Sequence, residues 1–356
     1  MQIFQVLNQW FRAIKVPGPL VPLCSFATVI FVILGVIYGV LHFLKVKGKI
    51  SLAEKSFYLF VSPWIIGFLL FTLGPMLFSM YISFHDWELV REPVFIGLDN
   101  YRKMISDPLV AKSLSVTFRY TFMAVPLQVV LAFLIASLMN RKLKGIYVFR
   151  TIFYLPTLVQ GVAQMVLFIW VFNPNVGLIN SILKVFGIQG PGWFSDPNWS
   201  LPAVIIMSLW TVGGNMVIYL AGFQDISVSL YESAAVDGAK PIHKFLYITV
   251  PQMTPIIFFN MITAMIGAFQ TFTQGYLVGG GVKNSLLFYS YYLYQNAFMW
   301  FKMGYGSALA WLLFAIILIF TLLVFRSSTA WVYYETEMSG KKKKKSKKRE
   351  EKNDKI

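Results

Sequence analysis

Residues 229–251 read SLYESAAVDGAKPIHKFLYITVP. Ser229 and Glu232 have the spacing of a capping box, in which a hydroxyl and a carboxylate each satisfy a backbone N–H at a helix start. Gly238 supplies the positive φ that ends a helix. One short helix is therefore expected over about 230–237. Pro241 suits the first turn of a second helix, which Pro251 is expected to end. The product is helix, tight turn, helix. Ser233, Ala234 and Ala235 have almost no side chain, so another surface can approach this backbone closely.

What flanks this stretch decides the fold. Apolar runs at 201–222 and 252–277 lie on either side, with others at 20–44, 56–83, 117–138, 151–172 and 305–325. A bilayer core takes about 20 apolar residues as a helix, and only helices or closed barrels satisfy their backbone groups in lipid. The runs are continuous rather than alternating, which argues against a barrel. The expectation is an all-α polytopic membrane protein with about seven transmembrane helices. Arg12 and Lys15 precede the first run as in a secretory signal, but the run is too long and no small-x-small cleavage site follows, so it reads as a retained anchor.

Composition agrees. Only 13% of the 356 residues are charged and 57% are hydrophobic, whereas a soluble domain carries roughly a quarter charged. The net charge of +16 would ordinarily raise nucleic acid as a partner, but that needs a basic folded surface. Ten of the 31 basic residues instead sit in the terminal run 341–356, KKKKKSKKREEKNDKI. That tail suits anionic membrane lipid, or a solvated end that enforces topology. A DNA-reading helix-turn-helix shares the small-residue pattern of 229–251, but only Lys240, His243 and Lys244 could meet phosphate and the loop is tethered to lipid. No nucleic-acid partner is expected. Lys and Arg favour the cytoplasmic side. With the C-terminus inside, the inner segments hold 21 basic residues and the outer ones nine, which gives an N-terminus outside and a C-terminus in the cytoplasm. The single cysteine, Cys24, excludes an internal disulfide and a cysteine-built metal site.

The spans lack coupling chemistry. None holds an acid, and Arg119, near an outer end, is the one ionised side chain in them. Ion-driven carriers usually relay their ion through intramembrane Asp, Glu or His. His42, His85 and His243 read as interfacial or solvated, and Gly279–Gly281 as a turn. No phosphate-binding GxxxxGK[ST] loop is present. Uphill transport would draw its energy from a partner. An enzyme acting on lipid-linked sugar would need clustered acids, for which Asp86 with Glu88 is the nearest candidate, and these read as solvated loop residues.

The loop resembles the EAA motif of binding-protein-dependent ABC importer permeases, E-A-A-x3-G-x9-I-x-L-P. Glu232, Ala234, Gly238, Ile248 and Pro251 match at full spacing, while Ser233 and Val250 replace an alanine and a leucine. The segments Phe95–Tyr101, Arg150–Pro156, Gly177–Asn180 and Gly304–Trp311 are similar, in the same order, to segments of the carbohydrate branch, the maltose-type and glycerol-phosphate-type permeases. The resemblance implies a type I importer core of six spans plus one extra N-terminal helix. It divides the chain into an N-terminal segment 1–55, a permease domain 56–326 with its coupling loop at 223–251, and a Lys-rich tail 327–356.

It also implies a job. The chain would be the permease subunit of an ATP-driven importer of a sugar or oligosaccharide in a bacterial cell membrane, with no catalytic or metal-binding residue and no cofactor of its own. ATP and Mg would be used by the partner ATPase. Partners would be a second, related permease, two ATPase subunits, an external solute-binding protein, membrane lipid and the carbohydrate itself. Glu232, Ser233, Ala234, Ala235, Asp237, Gly238, Ala239 and Pro241 would contact the ATPase, with Glu232 paired to one of its basic residues. Gly238→Asp is expected to leave insertion intact and abolish stimulated ATP hydrolysis. Thr211, Asn215, Tyr219, Gln270, Thr271, Thr273 and Gln274 are candidates for the substrate path, or for polar contacts between helices. Glycerol phosphate or a polyamine are the alternative solutes. A phosphorylated solute would call for paired Arg or Lys in the path, so their absence from the spans favours a neutral sugar. The aromatics of 283–301 read as an interfacial belt, or alternatively as a sugar-stacking platform.

Overall fold

The computed structural model describes residues 51–333 except 142, 143 and 160, together with residues 35, 38, 39, 42, 45 and 47. Most of the expected span 20–44, with Cys24, and the whole tail 341–356 lie outside the described residues. The chain divides into two compact units, 1–81 and 82–356.

In the first unit, helix α1 (Leu52–Phe68) starts at a capping box. The Ser51 hydroxyl accepts from Glu54 N–H at 3.1 Å, and the Glu54 carboxylate accepts from Ser51 N–H at 2.6 Å. A π turn, Leu69–Leu73, leads into α2 (Gly74–Ile82). Together they give an apolar helix, Ser56–Ile82, close to the expected 56–83.

The second unit opens with a two-stranded antiparallel ladder, β1 (His85–Asp86) on β2 (Val94–Phe95), followed by α3 (Asp99–Ser106). The long helix α4 (Pro108–Met139) is its hub. Asp107 caps it by accepting from Leu109 N–H at 2.9 Å, and Pro108 occupies the first turn. The helix starts nine residues before the expected 117 because this cap and proline fix its origin, a local signal that hydropathy dilutes with Lys112 and Arg119. At its far end both guanidinium nitrogens of Arg150 that bond there donate to the Met139 carbonyl, at 2.7 and 3.2 Å.

Two expected spans are broken. Residues 146–171 form α5 (Ile146–Tyr154), a 3-10 turn containing Pro156, and α6 (Gly161–Val171). After α7 (Leu178–Val185), α8 (Ser200–Leu209) meets α9 (Gly213–Asp225) at a 42° bend. A side chain on Gly213 would land on the Phe153 carbonyl, so only glycine allows this approach. At the break, Gln164 donates to the Met207 carbonyl at 3.1 Å.

Then come α10 (Val228–Val236), α11 (Pro241–Lys244), a π turn over Phe245–Thr249, α12 (Val250–Phe269), α13 (Thr273–Leu277), α14 (Tyr289–Tyr294) and α15 (Met303–Trp331). Pro251 does not end the helix, contrary to the expectation. Val250 N–H reaches the Phe245 carbonyl, five residues back, so the wide turn carries the chain past a proline that has no N–H to give. Gly74 and Pro75 repeat the device, with Gly74 N–H on the Leu69 carbonyl.

Helices α8, α9, α12 and α14 all pack on α4. Its Ala124, Ala132 and Ala136 are wholly buried, small residues that let neighbouring helices come close. Among the described residues, four helices are long and apolar enough to cross a membrane, or six if each bent pair is one span.

Candidate functional site

The 229–251 stretch folds as helix, turn, helix, with different details. Helix α10 begins at Val228, and Ser227 precedes it without a side-chain cap. The expected Ser229–Glu232 box does not form, since the helix has already started and Ser229 bonds to the Ser227 hydroxyl instead. The exit is as expected. Gly238 has φ +75°, its N–H donates to the Ala235 carbonyl at 3.1 Å, and Ala239 N–H donates to the Ala234 carbonyl at 2.9 Å. Those two bonds are a Schellman closure.

Glu232, Ser233, Ala235, Asp237, Gly238 and Pro241 are exposed there, and Ala234 and Ala239 half-buried. Glu232 has no ion pair among the described residues. Val236 is 89% exposed, and Val228, Ile242, Leu246 and Tyr247 add further uncovered apolar surface. Beneath, the Tyr231 hydroxyl meets Thr249 Oγ1 at 2.9 Å, joining α10 to the π turn. The loop lies at the Met139 end of α4, where Ser137, Leu138, Asn140 and Arg141 share a cavity with Tyr231, Pro241 and Phe245.

Midway along α4 lies a second cavity of about 380 Å³, within the roughly 300–1,000 Å³ of small-molecule sites. Thr211, Asn215, Thr271 and Gln274 line it, as the sequence suggested for four of the seven path candidates. Tyr219 does not: it is wholly buried against Phe133, ring centroids 5.5 Å apart. Gln270 is exposed at the end of α12 and Thr273 opens α13, and neither lines the cavity. Sequence reasoning missed Tyr120, Gln128, Gln164, Ser208 and Thr263, which complete the polar wall. Gln128 and Gln164 were visible as amides inside apolar runs. Among the described residues, no charged one lines this cavity.

The remaining recognisable segments do structural work. Asn100 is buried and donates to the carbonyls of Ser83 and His85, at 2.9 and 3.0 Å. Asn180 donates to the carbonyls of Pro174 and Pro191, and its own oxygen accepts from the Trp193 indole at 2.7 Å. Asp107 accepts the hydroxyls of Tyr292 and Tyr305, at 2.6 and 2.8 Å. Burial opposes ionisation of Asp107, yet these hydroxyls and the N–H groups of Leu109 and Val110 outweigh it and hold the carboxyl below its usual value. Burial, reinforced by the Asp107 carboxylate, pushes the Tyr292 phenol up to about 12.

The aromatics of 283–301 are neither belt nor platform at their centre. Phe288, Tyr289, Tyr291 and Tyr292 are buried in the core against α4, because Thr117 Oγ1 accepts Tyr289 N–H at 2.9 Å and the Tyr289 hydroxyl donates to the Leu309 carbonyl. Phe298, Trp300 and Phe301, at the end of the range, are exposed. His85 is also buried, edge-on to Phe95, rather than solvated. Asp86 lies in β1 and Glu88 bridges Lys302 through its backbone. Among the described residues no cluster of acids, histidines or cysteines could hold a metal.

Residues 110–333 match the family described as "binding-protein-dependent transport system inner membrane component". The chain is similar to the "probable ABC transporter permease protein YesP" of Bacillus subtilis, 43% identical over 300 residues, covering 83% of this chain and 97% of that protein. It is similar to the "lactose transport system permease protein LacF" of Rhizobium radiobacter, 32% identical over 276 residues, 75% of this chain and 92% of that one. Among solved structures, a subunit of a bacterial ABC transporter involved in the import of the acidic polysaccharide alginate shares the fold. The TM-score is 0.69 at 22% identity, over 78% of this chain and 96% of that one.

Proposed function

We infer the function from a family membership: the chain belongs to the inner membrane components of binding-protein-dependent transport systems. It is an ABC importer permease subunit, a transporter part and not an enzyme. The solute is a sugar or oligosaccharide, as in the lactose permease it resembles. The chain forms half of a translocation path completed by a second, related permease, receives solute from an external binding protein, and couples through residues 232–241 to two ATPase subunits that use ATP and Mg. The end of α4 at Asp107 faces outside and the Gly238 loop faces the cytoplasm.

The observation that carries the substrate reading is the mid-membrane cavity. Hydroxyls and amides from α4, α6, α8, α9, α12 and α13 converge on one uncharged space. A sugar offers matching donors and acceptors to this largely accessible polar wall. Asn215→Ala and Gln128→Ala should each raise the KM for uptake about tenfold, while Gln270→Ala, outside the cavity, leaves it near wild type. Unchanged uptake in both cavity variants, at normal membrane abundance, would remove the cavity from the path.

A further inference from the structure

Three cations far apart in sequence meet at one cavity of about 430 Å³ toward the Asp107 end of α4: Lys112 and Arg119 from α4, and Lys283 from the loop before α14. Asn198 and Ser285 supply neutral polar groups, and among the described residues no acid and no aromatic ring lines it. None of the three has an ion pair among the described residues. Arg119 stands inside a membrane-spanning helix. A charge there is costly unless it faces a partner or a water-filled space, and it marks a functional position by default.

The loop is built to hold Lys283 in place. Lys283 and Asn284 both take left-handed backbone, φ +52° and +57°, which side-chain-bearing residues rarely adopt. Ser285 then bonds Ser200, the first residue of α8, hydroxyl to hydroxyl at 2.8 Å, and Leu286 N–H donates to the Gly280 carbonyl at 2.8 Å. Three like charges repel one another, so holding them together is useful only when an anion arrives.

The place of this cavity matters. On α8 it is lined by Leu201 and Ile205, about two turns and one turn before Ser208, which lines the mid-membrane cavity. On α4, Arg119 adjoins Tyr120, which lines that cavity too. Lys112 and Arg119 share one helix face, seven residues and so about 10 Å of rise apart. A single phosphate would gather cations to a point. A row of this length suits several single charges carried along a chain.

We propose that Lys112, Arg119 and Lys283 form an entry vestibule for the carboxylates of an acidic oligosaccharide, whose uncharged hydroxyls then meet the mid-membrane cavity. This deepens, and rests on, the reading of the chain as a sugar importer. It also revises the expectation of a neutral solute: the cations were present in the sequence, but only the fold gathers them.

The test uses the whole transporter, reconstituted in vesicles with its partner permease, ATPase and binding protein. The probes are mannuronate and galacturonate trisaccharides, their methyl esters, and maltotriose. At least one acid form should be taken up and its methyl ester at least tenfold less well. Arg119→Gln and Lys283→Gln should each raise KM for the acid about tenfold, with Arg119→Lys recovering most of the loss and copurification showing that each variant assembles. Import of maltotriose with no uptake of either acid, or acid uptake with KM unmoved in both Gln variants, would overturn the vestibule and leave sugar import standing. An effect of the variants that follows the anionic-lipid content of the vesicles equally for every solute would assign the cavity to a lipid headgroup and overturn it as well. Failure of an assembled, ATP-hydrolysing complex to import any of the five would remove the sugar reading itself.

Discussion

Gly238 offers a test in which sterics and backbone conformation separate. A Cβ built there meets nothing within 4 Å, so inside this chain a larger side chain is not refused by contact. What opposes it is φ +75°, the left-handed region that costs an ordinary residue about 1–2 kcal/mol and asparagine less. An energy of that size shifts the ratio of closed to opened turn by roughly 5- to 30-fold. The Schellman bonds from Gly238 and Ala239 would loosen with it, and with them the angle between α10 and α11. The expected order of coupling is therefore Gly, then Asn, then Ala, then Val, whose β-branch makes positive φ hardest. This sharpens the expectation for Gly238→Asp: the loss comes from backbone strain and added charge, not from bulk. The assay is ATP hydrolysis by the reconstituted transporter, stimulated by loaded binding protein, with basal hydrolysis and copurification of the ATPase as controls. Full stimulation in a correctly assembled Gly238→Val transporter would refute the reasoning, as would a ranking that followed side-chain volume and placed Asn below Ala.

Two further predictions concern stability. Asp107→Ala removes a helix cap and the acceptor for two phenols, so it should destabilise the solubilised protein by about 1–3 kcal/mol, read as a lower melting temperature, with Asp107→Asn milder. Because the Asp107 carboxyl is held below its usual value, its contribution is complete above the ordinary carboxylate range and is lost as pH falls through the lowered one. Melting curves across acid pH should show that loss in the wild type and not in Asp107→Asn. Gly213→Ala should cost about 1–3 kcal/mol by forcing α9 off the Phe153 carbonyl. Gly214→Ala, whose Cβ meets only Thr157 Cγ2 at 3.7 Å, should melt as the wild type does.

Much of this architecture was legible in the sequence, and the misreadings share a physical cause. Helix ends marked by Gly238 and Pro241 were found because each acts through its own backbone. Pro251 was misread because a π turn upstream changes which carbonyl lacks a donor, and nothing in a five-residue apolar run announces that turn. Four cavity residues were found because polar side chains in apolar spans attract notice. Tyr219 failed the same test because an aromatic ring carries enough apolar surface to sit in a core on its own. Phe288 and Tyr289 were misplaced for the converse reason: Tyr289 is drawn inward by bonds to Thr117 and Leu309, 172 and 20 residues away along the chain, and carries its neighbour with it. Arg119 was noticed alone, and its neighbours Lys112 and Lys283 could only be supplied by folding.

The helical run from Pro241 to Phe269, continuous through the π turn, has a consequence for timing. Its first turn belongs to the exposed loop, and its Thr263 and Gly267 belong to the cavity wall. A displacement at one end thus reaches the other along a single hydrogen-bonded rod rather than through a relay of side chains that could each hesitate. The two ends should change state together, as one kinetic step. Paired fluorescent labels on Ile242 and near Thr263 should report the same rate constant, with no interval in which one has switched and the other has not.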